Sequence, residues 1–307
     1  MRIILAGGSG LIGSALAQDL SKDQHEVIIL SRNPAHSAAL TGQAKFVAWD
    51  GKTQQGWGKQ VNGAHAVVNL AGANIAGDGF LPARWSRERK ENIRLSRLNA
   101  GKAISEAISS ARDKPAVLVQ ASGIGFYGPR GNEPIDETAA PGGDFMAQLS
   151  QEWERSTAAV EEHGVRRTII RTGVVLSKDG GALSRLLYPY RLFVGGPLGN
   201  GRQVMSWIHI ADEVRAIRFL IDDQSAQGAY NLTAPHPVTN GELGKQIGRL
   251  LHRPHYLPVP GFAMRLAFGE VSTVVLDGQR VLPSRLLTSG FEFKYPTSDK
   301  ALADILC

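Results

Sequence analysis

Short apolar runs alternate with amphipathic stretches along the first 175 residues of the chain. Runs of four or five such residues, bounded by polar residues or glycine, are typical of strands buried on both faces of a sheet. Apolar residues at helical spacing between the runs indicate helices. The pattern predicts strands at Arg2–Ala6, Glu26–Leu30, Lys45–Trp49, Ala66–Leu70, Ala116–Gln120 and Arg167–Arg171, and helices at Leu11–Leu20, 84–112 and 144–163.

The alternation of strand and helix implies right-handed βαβ units, in which the strands are parallel. We therefore expect an α/β protein with a doubly wound parallel sheet and a smaller C-terminal lobe. The sheet domain would span residues 1–175, with 204–233 returning to it. The smaller lobe, at 176–307, would lie on the substrate side.

The C-terminal part of the chain has a different pattern. Glycines between 180 and 201 predict a loop over a substrate cleft. Thr239 and Glu242 have the spacing of a capping box, which predicts the start of a helix. A last helix is expected at 299–306.

A glycine-rich turn joins the first predicted strand to the first helix. It reads Gly7-Gly8-Ser9-Gly10-Leu11-Ile12-Gly13 and satisfies both G-x-G-x-x-G and G-x-x-G-x-x-G. Between a strand and a helix this pattern favours a Rossmann domain that binds a dinucleotide pyrophosphate. Glycine lets the backbone approach the phosphates, and the helix N-terminus supplies N–H donors. The alternative is a tight turn without a ligand.

The residues after the second predicted strand indicate which dinucleotide is bound. An NAD site usually carries an acidic residue there for the ribose 2′-hydroxyl. This chain has Ser31-Arg32-Asn33 instead. A guanidinium suits a 2′-phosphate, and Ser31 adds a hydroxyl, so we predict NADP(H) in preference to NAD(H). The alternative is that Arg32 is an ordinary exposed arginine.

Composition narrows the class of protein. With 307 residues, 43% hydrophobic and 20% charged, the chain is not disordered. Its only cysteine, Cys307, excludes an internal disulfide and a cysteine zinc cluster, and no metal site is predicted. No apolar run approaches the roughly 18 residues of a membrane span, and the N-terminus does not resemble a signal peptide. We expect a cytoplasmic protein without a membrane partner.

The net charge of +6 is compatible with several anionic partners. Residues 84–97 hold six basic side chains beside Trp85, which is one possible nucleic-acid contact. A solvated helix face, or a face toward cofactor phosphates, is favoured over nucleic acid because only this segment is so concentrated. The expected partner is therefore a small-molecule substrate, and the oligomeric state is left open.

Several segments resemble the extended short-chain dehydrogenase/reductase superfamily, which includes nucleotide-sugar epimerases and dehydratases. The resemblance lies in Gly7–Gly13, Asn69–Gly72, Ser122–Gly128 and Trp207–Asp212. Three further segments, Gly195–Gly199, Ser206–His209 and Gly278–Pro283, resemble an atypical branch of epimerase family proteins. The similarity covers essentially the whole chain.

The resemblance implies a set of cofactor-binding residues. The glycine turn would hold the pyrophosphate, and Ser31 and Arg32 would meet the 2′-phosphate. Asn92 and Val175 would lie near the nicotinamide, with Arg97 within reach of a phosphate. The implied set is Gly7, Gly10, Leu11, Ile12, Gly13, Ser31, Arg32, Leu70, Ala71, Gly72, Asn92, Arg97 and Val175.

The chain departs from the superfamily in its proton-transfer residues. Members that the chain resembles use Ser or Thr together with a Tyr-x-x-x-Lys pair, whose ammonium lowers the tyrosine pKa. This chain has no tyrosine between Tyr127 and Tyr188 and no lysine between Lys114 and Lys178. The serine position falls on Gly123. Epimerase activity therefore does not follow from the resemblance.

Other polar residues are the remaining catalytic candidates, namely Tyr127, Ser122, His209 and Asp212. A structural role is favoured for His209, which lies between isoleucines. Tyr127 is favoured as a pocket wall, because the sequence indicates no cation beside it. The substrate-side candidates are Arg202, Gln203 and Trp207.

Three functions stay open at this point. The first is an NADP(H)-dependent oxidoreductase or isomerase that acts on a small molecule with a non-standard proton donor. The second is a non-catalytic NADP(H)-binding sensor. The third, more remote, is a nucleic-acid-binding protein.

Overall fold

The computed structural model describes residues 1–34, 44–77, 79 and 81–307. Its centre is a seven-stranded sheet in which every neighbouring pair is parallel. The strand order is β11-β7-β5-β4-β1-β2-β3. These strands are β1 (Arg2–Ala6), β2 (Glu26–Ser31), β3 (Lys45–Ala48), β4 (Ala66–Asn69), β5 (Val117–Gly123), β7 (Arg166–Thr172) and β11 (Gly228–Leu232).

This architecture confirms the predicted α/β fold with a parallel Rossmann sheet. The six predicted strands are present, with ends that differ by up to three residues. The seventh, β11, falls within the stretch 204–233 that was expected to return to the sheet, and it pairs with β7 at the edge.

Ten α-helices lie within the residues that the structure describes. They are α1 (Leu11–Lys22), α2 (Arg87–Ser110), α3 (Phe145–Arg155), α4 (Gly181–Arg191), α5 (Ile210–Asp222), α6 (Asn240–Leu250), α7 (Gly261–Phe268), α8 (Thr273–Leu276), α9 (Ser284–Thr288) and α10 (Ser298–Leu306). Among the residues described, none of these is both long and apolar enough to cross a membrane.

Helices cover both faces of the sheet, because successive strand residues point to opposite sides. On one face, Ile3 and Leu5 of β1 share a core with Leu16 of α1 and Ile217 of α5. On the other face, Ile4 belongs to a core that includes Ile104 and Ile108 of α2. The strands are therefore buried on both sides, as their continuous apolar runs predict.

Three two-stranded pairs extend the structure beyond the main sheet. They are β8 (Val174–Leu176) with β10 (Trp207–His209), β9 (Val204–Met205) with β12 (Val238–Thr239), and β6 (Pro134–Ile135) with β13 (Arg280–Val281). A third core joins α4, α6 and α10 through Leu183, Leu243 and Leu302. This core lies in the C-terminal part of the chain.

Two element predictions were wrong in extent. The helix predicted at 144–163 ends at Arg155, and a separate 3-10 turn follows at Ala158–His163. The stretch predicted as a loop at 180–201 contains α4. Glycines at 180 and 181 take positive φ at the start of this helix, and its apolar residues at 183, 187 and 190 are buried, so burial outweighs the glycine content.

Candidate functional site

The glycine turn lies at the carboxyl edge of the sheet, between the ends of β1 and β4. Gly7 has a φ angle of +81°, which residues other than glycine rarely adopt. A Cβ at Gly7 would lie 2.7 Å from the Leu70 carbonyl and 2.9 Å from the Ala71 nitrogen. The turn therefore packs directly on the segment that follows β4.

The start of α1 is held against this turn. A Cβ at Gly13 would lie 2.4 Å from the Gly7 oxygen, so only glycine fits there. Gly10 caps the helix without a side-chain hydrogen bond, and its Cβ position is less crowded, at 3.3 Å from the Gly7 oxygen. The first-turn amides of Leu11, Ile12 and Gly13 have no carbonyl within the helix to bond, which is the donor set that a pyrophosphate needs.

Ser31 and Arg32 lie at the end of β2, on the same edge of the sheet. Ser31 is buried, and its hydroxyl accepts a hydrogen bond from the Asn33 amide at 3.2 Å. Arg32 is exposed, and its guanidinium forms no ion pair with any residue that the structure describes. No carboxylate occupies the position of an NAD-type ribose ligand after this strand.

The segment after β4 forms the second wall of the site. The Leu70 amide donates to the Ala6 carbonyl, and the Ala71 amide donates to the Asn69 side chain. A Cβ at Gly72 would lie 2.9 Å from Cζ of Arg97. The implied residues Leu70, Ala71 and Gly72 are thus brought beside the glycine turn and Arg97.

Arg97 is a buried cation on α2. It donates to the carbonyls of Ala73 and Ile93, and its guanidinium stacks on the Trp153 ring at 4.7 Å. Burial lowers the pKa of Arg97 to about 10, so the side chain keeps its charge at neutral pH. No described carboxylate pairs with it.

Asn92 and Val175, the two residues implied at the nicotinamide end, belong to different elements. Asn92 is exposed on α2, one turn before Ser96, whose hydroxyl accepts from the Ala73 amide. Val175 is partly buried on β8. A Cβ at Gly181 would lie 2.9 Å from the Leu11 side chain, so the start of α4 covers the start of α1.

The hydroxyl groups of Ser122 and Tyr127 belong to one buried network. Ser122 donates to Glu154 at 2.7 Å, and Glu154 accepts two further hydrogen bonds from Arg171, each at 2.9 Å. The Arg171 guanidinium also donates to the Tyr127 hydroxyl at 3.0 Å. Tyr127 in turn donates to the Asn231 side chain at 2.7 Å. The network ties β5, β7, β11 and α3 together.

The expectation that Tyr127 has no cation beside it was wrong, because Arg171 reaches it from β7. Burial raises the pKa of Tyr127, and the Arg171 charge opposes that rise. The network involves residues up to 104 positions apart, so only the fold brings them together. An arginine inside the apolar strand 167–171 is the one sequence signal that points to it.

His209 and Asp212 have structural partners. Nδ1 of His209 accepts from the Ala211 amide and caps α5, while Nε2 lies 3.3 Å from the Asp304 carboxylate. Burial lowers the pKa of His209. Asp212 is fully buried and accepts the amides of residues 294 and 295 at 2.8 Å each. Both side chains hold the C-terminal segment in place.

The substrate-side candidates fall into two groups. Arg202 is exposed, and Gln203 is half-buried and donates to the carbonyls of Leu198 and Val275. Trp207, by contrast, is fully buried, and its indole donates to the His236 carbonyl at 3.2 Å. The structure thus gives Trp207 a packing role and corrects its assignment to the substrate side.

The basic segment 84–97 makes contacts within the protein. Arg84 donates to the carbonyls of Leu266 and Ala267, and Lys90 pairs with Glu270 at 2.5 Å. Arg89, Arg94 and Arg97 also have internal partners. Most of the charge proposed for nucleic acid is therefore used to hold the fold together.

Two known protein families match parts of this sequence. The model of the NAD dependent epimerase/dehydratase family matches residues 3–233. A domain of unknown function, DUF1731, matches residues 259–305.

The chain belongs to the NAD dependent epimerase/dehydratase family. Among curated members, it is 40% identical over 308 residues to the chloroplastic epimerase family protein SDR39U1 homolog of Arabidopsis thaliana, covering 100% of this chain and 87% of that protein. It is 36% identical to epimerase family protein YfhF of Bacillus subtilis, over 100% of this chain and 98% of that protein. These relatives share the atypical branch that the sequence resembles.

Solved structures with similar sequences have the same fold as this chain. The human epimerase family protein SDR39U1 (isoform 2), crystallised with NADPH, is 31% identical and has a TM-score of 0.89, covering 100% of this chain and 99% of that chain. A nucleoside-diphosphate sugar epimerase from Corynebacterium glutamicum is 30% identical with a TM-score of 0.78, covering 100% of this chain and 58% of that chain.

The resemblance to the superfamily implies that helix α3 would carry the Tyr-x-x-x-Lys pair. Here the helix presents Met146 to the loop after β5, since a Cβ at Gly125 would lie 3.2 Å from the Met146 side chain. Ser150, one turn later, is buried. Neither side chain replaces the phenol or the ammonium, so the proton pair has no counterpart on this helix.

One buried acid in this family member was not found from the sequence. Glu213 of α5 is fully buried and accepts from the Thr172 hydroxyl at 2.8 Å, at the end of β7. Its second carboxyl oxygen has no protein partner, and burial raises its pKa to about 8. Burial therefore favours the protonated, neutral form of Glu213 near pH 7.

Proposed function

We propose that this protein binds NADP(H) at the carboxyl edge of its sheet and transfers hydride to or from a small molecule. The observation that carries the proposal is the turn at Gly7–Gly13. Its glycines allow close packing of the backbone, and the first amides of α1 are available there to bind a pyrophosphate. When bound, a nicotinamide cofactor supplies a hydride donor or acceptor. The buried cation of Arg97 adds positive charge beside the second wall.

A preference for NADP(H) over NAD(H) rests on Arg32. Its exposed guanidinium lies at the end of β2, where no carboxylate is present to bind a ribose 2′-hydroxyl. A 2′-phosphate would gain a charge-assisted hydrogen bond there and a carboxylate at this position would repel it. The human relative's bound NADPH supports the same choice.

Replacement of Arg32 by glutamate tests the preference. We expect Arg32→Glu to raise the Kd for NADPH about ten- to hundredfold, because a charged hydrogen bond is lost, and to change the Kd for NADH little. Isothermal titration calorimetry with both cofactors measures this. Lys22→Glu, an equal charge change on the exposed end of α1, is the matched control. Equal losses for the two cofactors would refute the assignment.

Proton transfer in this proposal needs a group other than the absent Tyr-x-x-x-Lys pair. Tyr127 is the phenol among the catalytic candidates, and a cation accompanies it, because Arg171 lies 3.0 Å from its hydroxyl. The substrate would lie beside Arg202 and Gln203, in the C-terminal lobe. NADPH oxidation with sugar nucleotides, aldehydes and ketones tests for turnover. Loss of that turnover in Tyr127→Phe, with NADPH binding retained, would identify the donor.

The second candidate function is an NADP(H)-binding sensor without turnover. It is favoured by the buried network, in which Ser122 and Tyr127 already have protein partners and are withdrawn from a substrate. The sensor predicts tight NADPH binding with no oxidation for any substrate of the panel. Mass spectrometry of molecules that co-purify with the protein would separate the two functions, because only an enzyme is expected to retain substrate or product.

A further inference from the structure

Two acid-free stretches of the chain meet on one surface of the C-terminal lobe. Neither 180–211 nor 243–269 contains Asp or Glu. The fold joins them through backbone hydrogen bonds, in which the amides of Tyr256 and Leu257 donate to the Gly195 carbonyl at 2.9 and 3.1 Å. A surface built from both stretches has no carboxylate of its own.

One part of this surface is an open concavity of about 750 Å³ at the end of α6. Basic side chains dominate its lining, which is Lys245, Gly248, Arg249, His252, Arg253, Pro254 and His255. Lys245, Arg249 and Arg253 form no ion pair with any residue that the structure describes. The concavity therefore presents unpaired positive charge and attracts anions.

The other part is an apolar ridge beside the concavity. It consists of Leu192, Phe193 and Val194 after α4, together with Tyr256 and Leu257, all of them exposed. Phe193 is 54% and Tyr256 is 64% exposed. The guanidinium of Arg253 lies 4.2 Å from the centre of the Phe193 ring, so the ridge and the concavity are continuous. We call the two together the basic–apolar surface.

The backbone at Phe193 favours glycine, so backbone conformation does not select phenylalanine there. Phe193 and His252 have φ of +62° and +52°, directly after α4 and α6. Glycine is the least strained residue at such positions, and a bulky side chain there is unusual. An exposed phenylalanine held in this conformation contributes little to the core and is costly for the backbone. Strain of this kind is typical of functional sites.

We propose that the basic–apolar surface docks on an anionic membrane surface. The unpaired cations would lie at the level of the lipid phosphates, and the ridge would enter the interfacial layer, where aromatic side chains are favoured. A second copy of the chain is disfavoured because it would bring the same cations face to face. Nucleic acid would leave Leu192, Val194 and Leu257 without an apolar partner. This departs from the expectation of no membrane partner, which rested on spanning segments alone.

Vesicle co-sedimentation of the full chain tests the proposal. We expect binding to vesicles of phosphatidylglycerol and phosphatidylcholine in equal parts, at least about tenfold tighter than to phosphatidylcholine alone. Arg249→Glu combined with Arg253→Glu should weaken binding at least about tenfold. Lys22→Glu combined with Arg112→Glu, with the same charge change at exposed positions elsewhere, should bind like the wild type.

Phe193→Gly separates docking from folding. Glycine suits the left-handed backbone, so the Tm should not fall, whereas loss of the inserted ring should weaken vesicle binding about tenfold. A lower Tm would show that Phe193 serves the fold and would overturn the argument from strain. Equal binding to both vesicles, or variants that bind like the wild type, would overturn the proposal. If the protein does not bind vesicles, two further results would also overturn the proposal. One is tight binding of duplex DNA or RNA, and the other is a dimer that the combined Arg249→Glu and Arg253→Glu change disrupts.

Discussion

Gly10 and Gly13 belong to the same turn but differ in what an added methyl group would meet. At Gly13 a Cβ would lie 2.4 Å from the Gly7 oxygen and 2.6 Å from the Gly8 Cα. We expect Gly13→Ala to lower the free energy of unfolding by about 1–3 kcal/mol, because the helix must move away from the turn. Chemical denaturation measures this loss, and NADPH titration should show that binding is lost with it.

Gly10→Ala should weaken NADPH binding without lowering the stability of the fold. Its Cβ would lie 3.3 Å from the Gly7 oxygen, so the folded state loses little, but the methyl group would occupy space that the pyrophosphate approaches. We expect a nearly unchanged Tm and an NADPH affinity at least about tenfold weaker. Gly143→Ala, where a Cβ meets nothing within 4 Å, is the control. Wild-type affinity in Gly10→Ala would show that the phosphates lie elsewhere.

Glu213 makes stability depend on pH. Its folded pKa is about 8, against an ordinary value of 4.5, so the folded protein keeps a proton that the unfolded chain loses between these values. Stability contributed by this group is therefore present below about pH 4.5 and falls as the pH rises to about 8, by up to roughly 1.4 kcal/mol per pH unit.

Glu213→Gln removes this dependence, because the amide oxygen still accepts from Thr172 and does not titrate. Relative to wild type, the variant should become progressively more stable from about pH 5 to pH 8. Urea denaturation across this range gives the difference. A constant difference between the two proteins would mean that the Glu213 carboxyl ionises in the folded state.

Helix α6 begins at a capping box that its sequence predicts. The Glu242 amide donates to the Thr239 hydroxyl at 3.2 Å, and the Glu242 carboxylate accepts from the Thr239 amide at 2.7 Å. Thr239→Ala should cost about 0.5–2 kcal/mol of unfolding free energy, whereas Thr239→Ser should cost little. Denaturation curves of the two variants measure this. Equal losses would show that the methyl group, and not the hydroxyl, stabilises this end of the helix.

Local patterns predict the elements whose stabilising contacts are close in sequence. The strand at Arg2–Ala6 and the capping box depend on neighbouring residues, and both were predicted at their positions. Helix α4 was missed because its start contains two glycines, which read as a loop until the burial of Leu183 and Leu187 is known. Helix type and extent there depend on tertiary packing, which overrides propensity.

In the candidate site, too, the parts that depend on neighbouring residues were predictable and the parts that depend on distant residues were not. The turn at Gly7–Gly13 and the arginine after β2 follow from spacing along a single βαβ unit. The network of Ser122, Glu154, Arg171 and Tyr127 joins β5, α3, β7 and the turn after β5, and no spacing rule connects these residues. The sequence alone therefore predicts the nucleotide end of the site better than the end where chemistry would take place.

Two arginine side chains join distant parts of the chain by donating to backbone carbonyls. Arg84 reaches the carbonyls of Leu266 and Ala267 at the end of α7. Arg185 of α4 reaches those of Gly77 and Gly79, after β4. These contacts connect α4 and α7, in the C-terminal part of the chain, to the segment that follows the Leu70–Gly72 wall. Within the basic stretch 84–97, Arg84 is thereby held by carbonyl oxygens of the protein.

Removal of the Arg84 clamp should loosen α7 without unfolding the sheet. Each charged hydrogen bond contributes about 1.5–3 kcal/mol, so Arg84→Ala should raise amide exchange in 261–272 about tenfold or more. Arg87→Ala, at an exposed arginine that forms no ion pair with a described residue, is the control. Hydrogen exchange followed by mass spectrometry resolves the two regions. Faster exchange in β1 and β4 as well would indicate global destabilisation. Unchanged exchange in α7 would show that the Lys90–Glu270 pair holds this segment without Arg84.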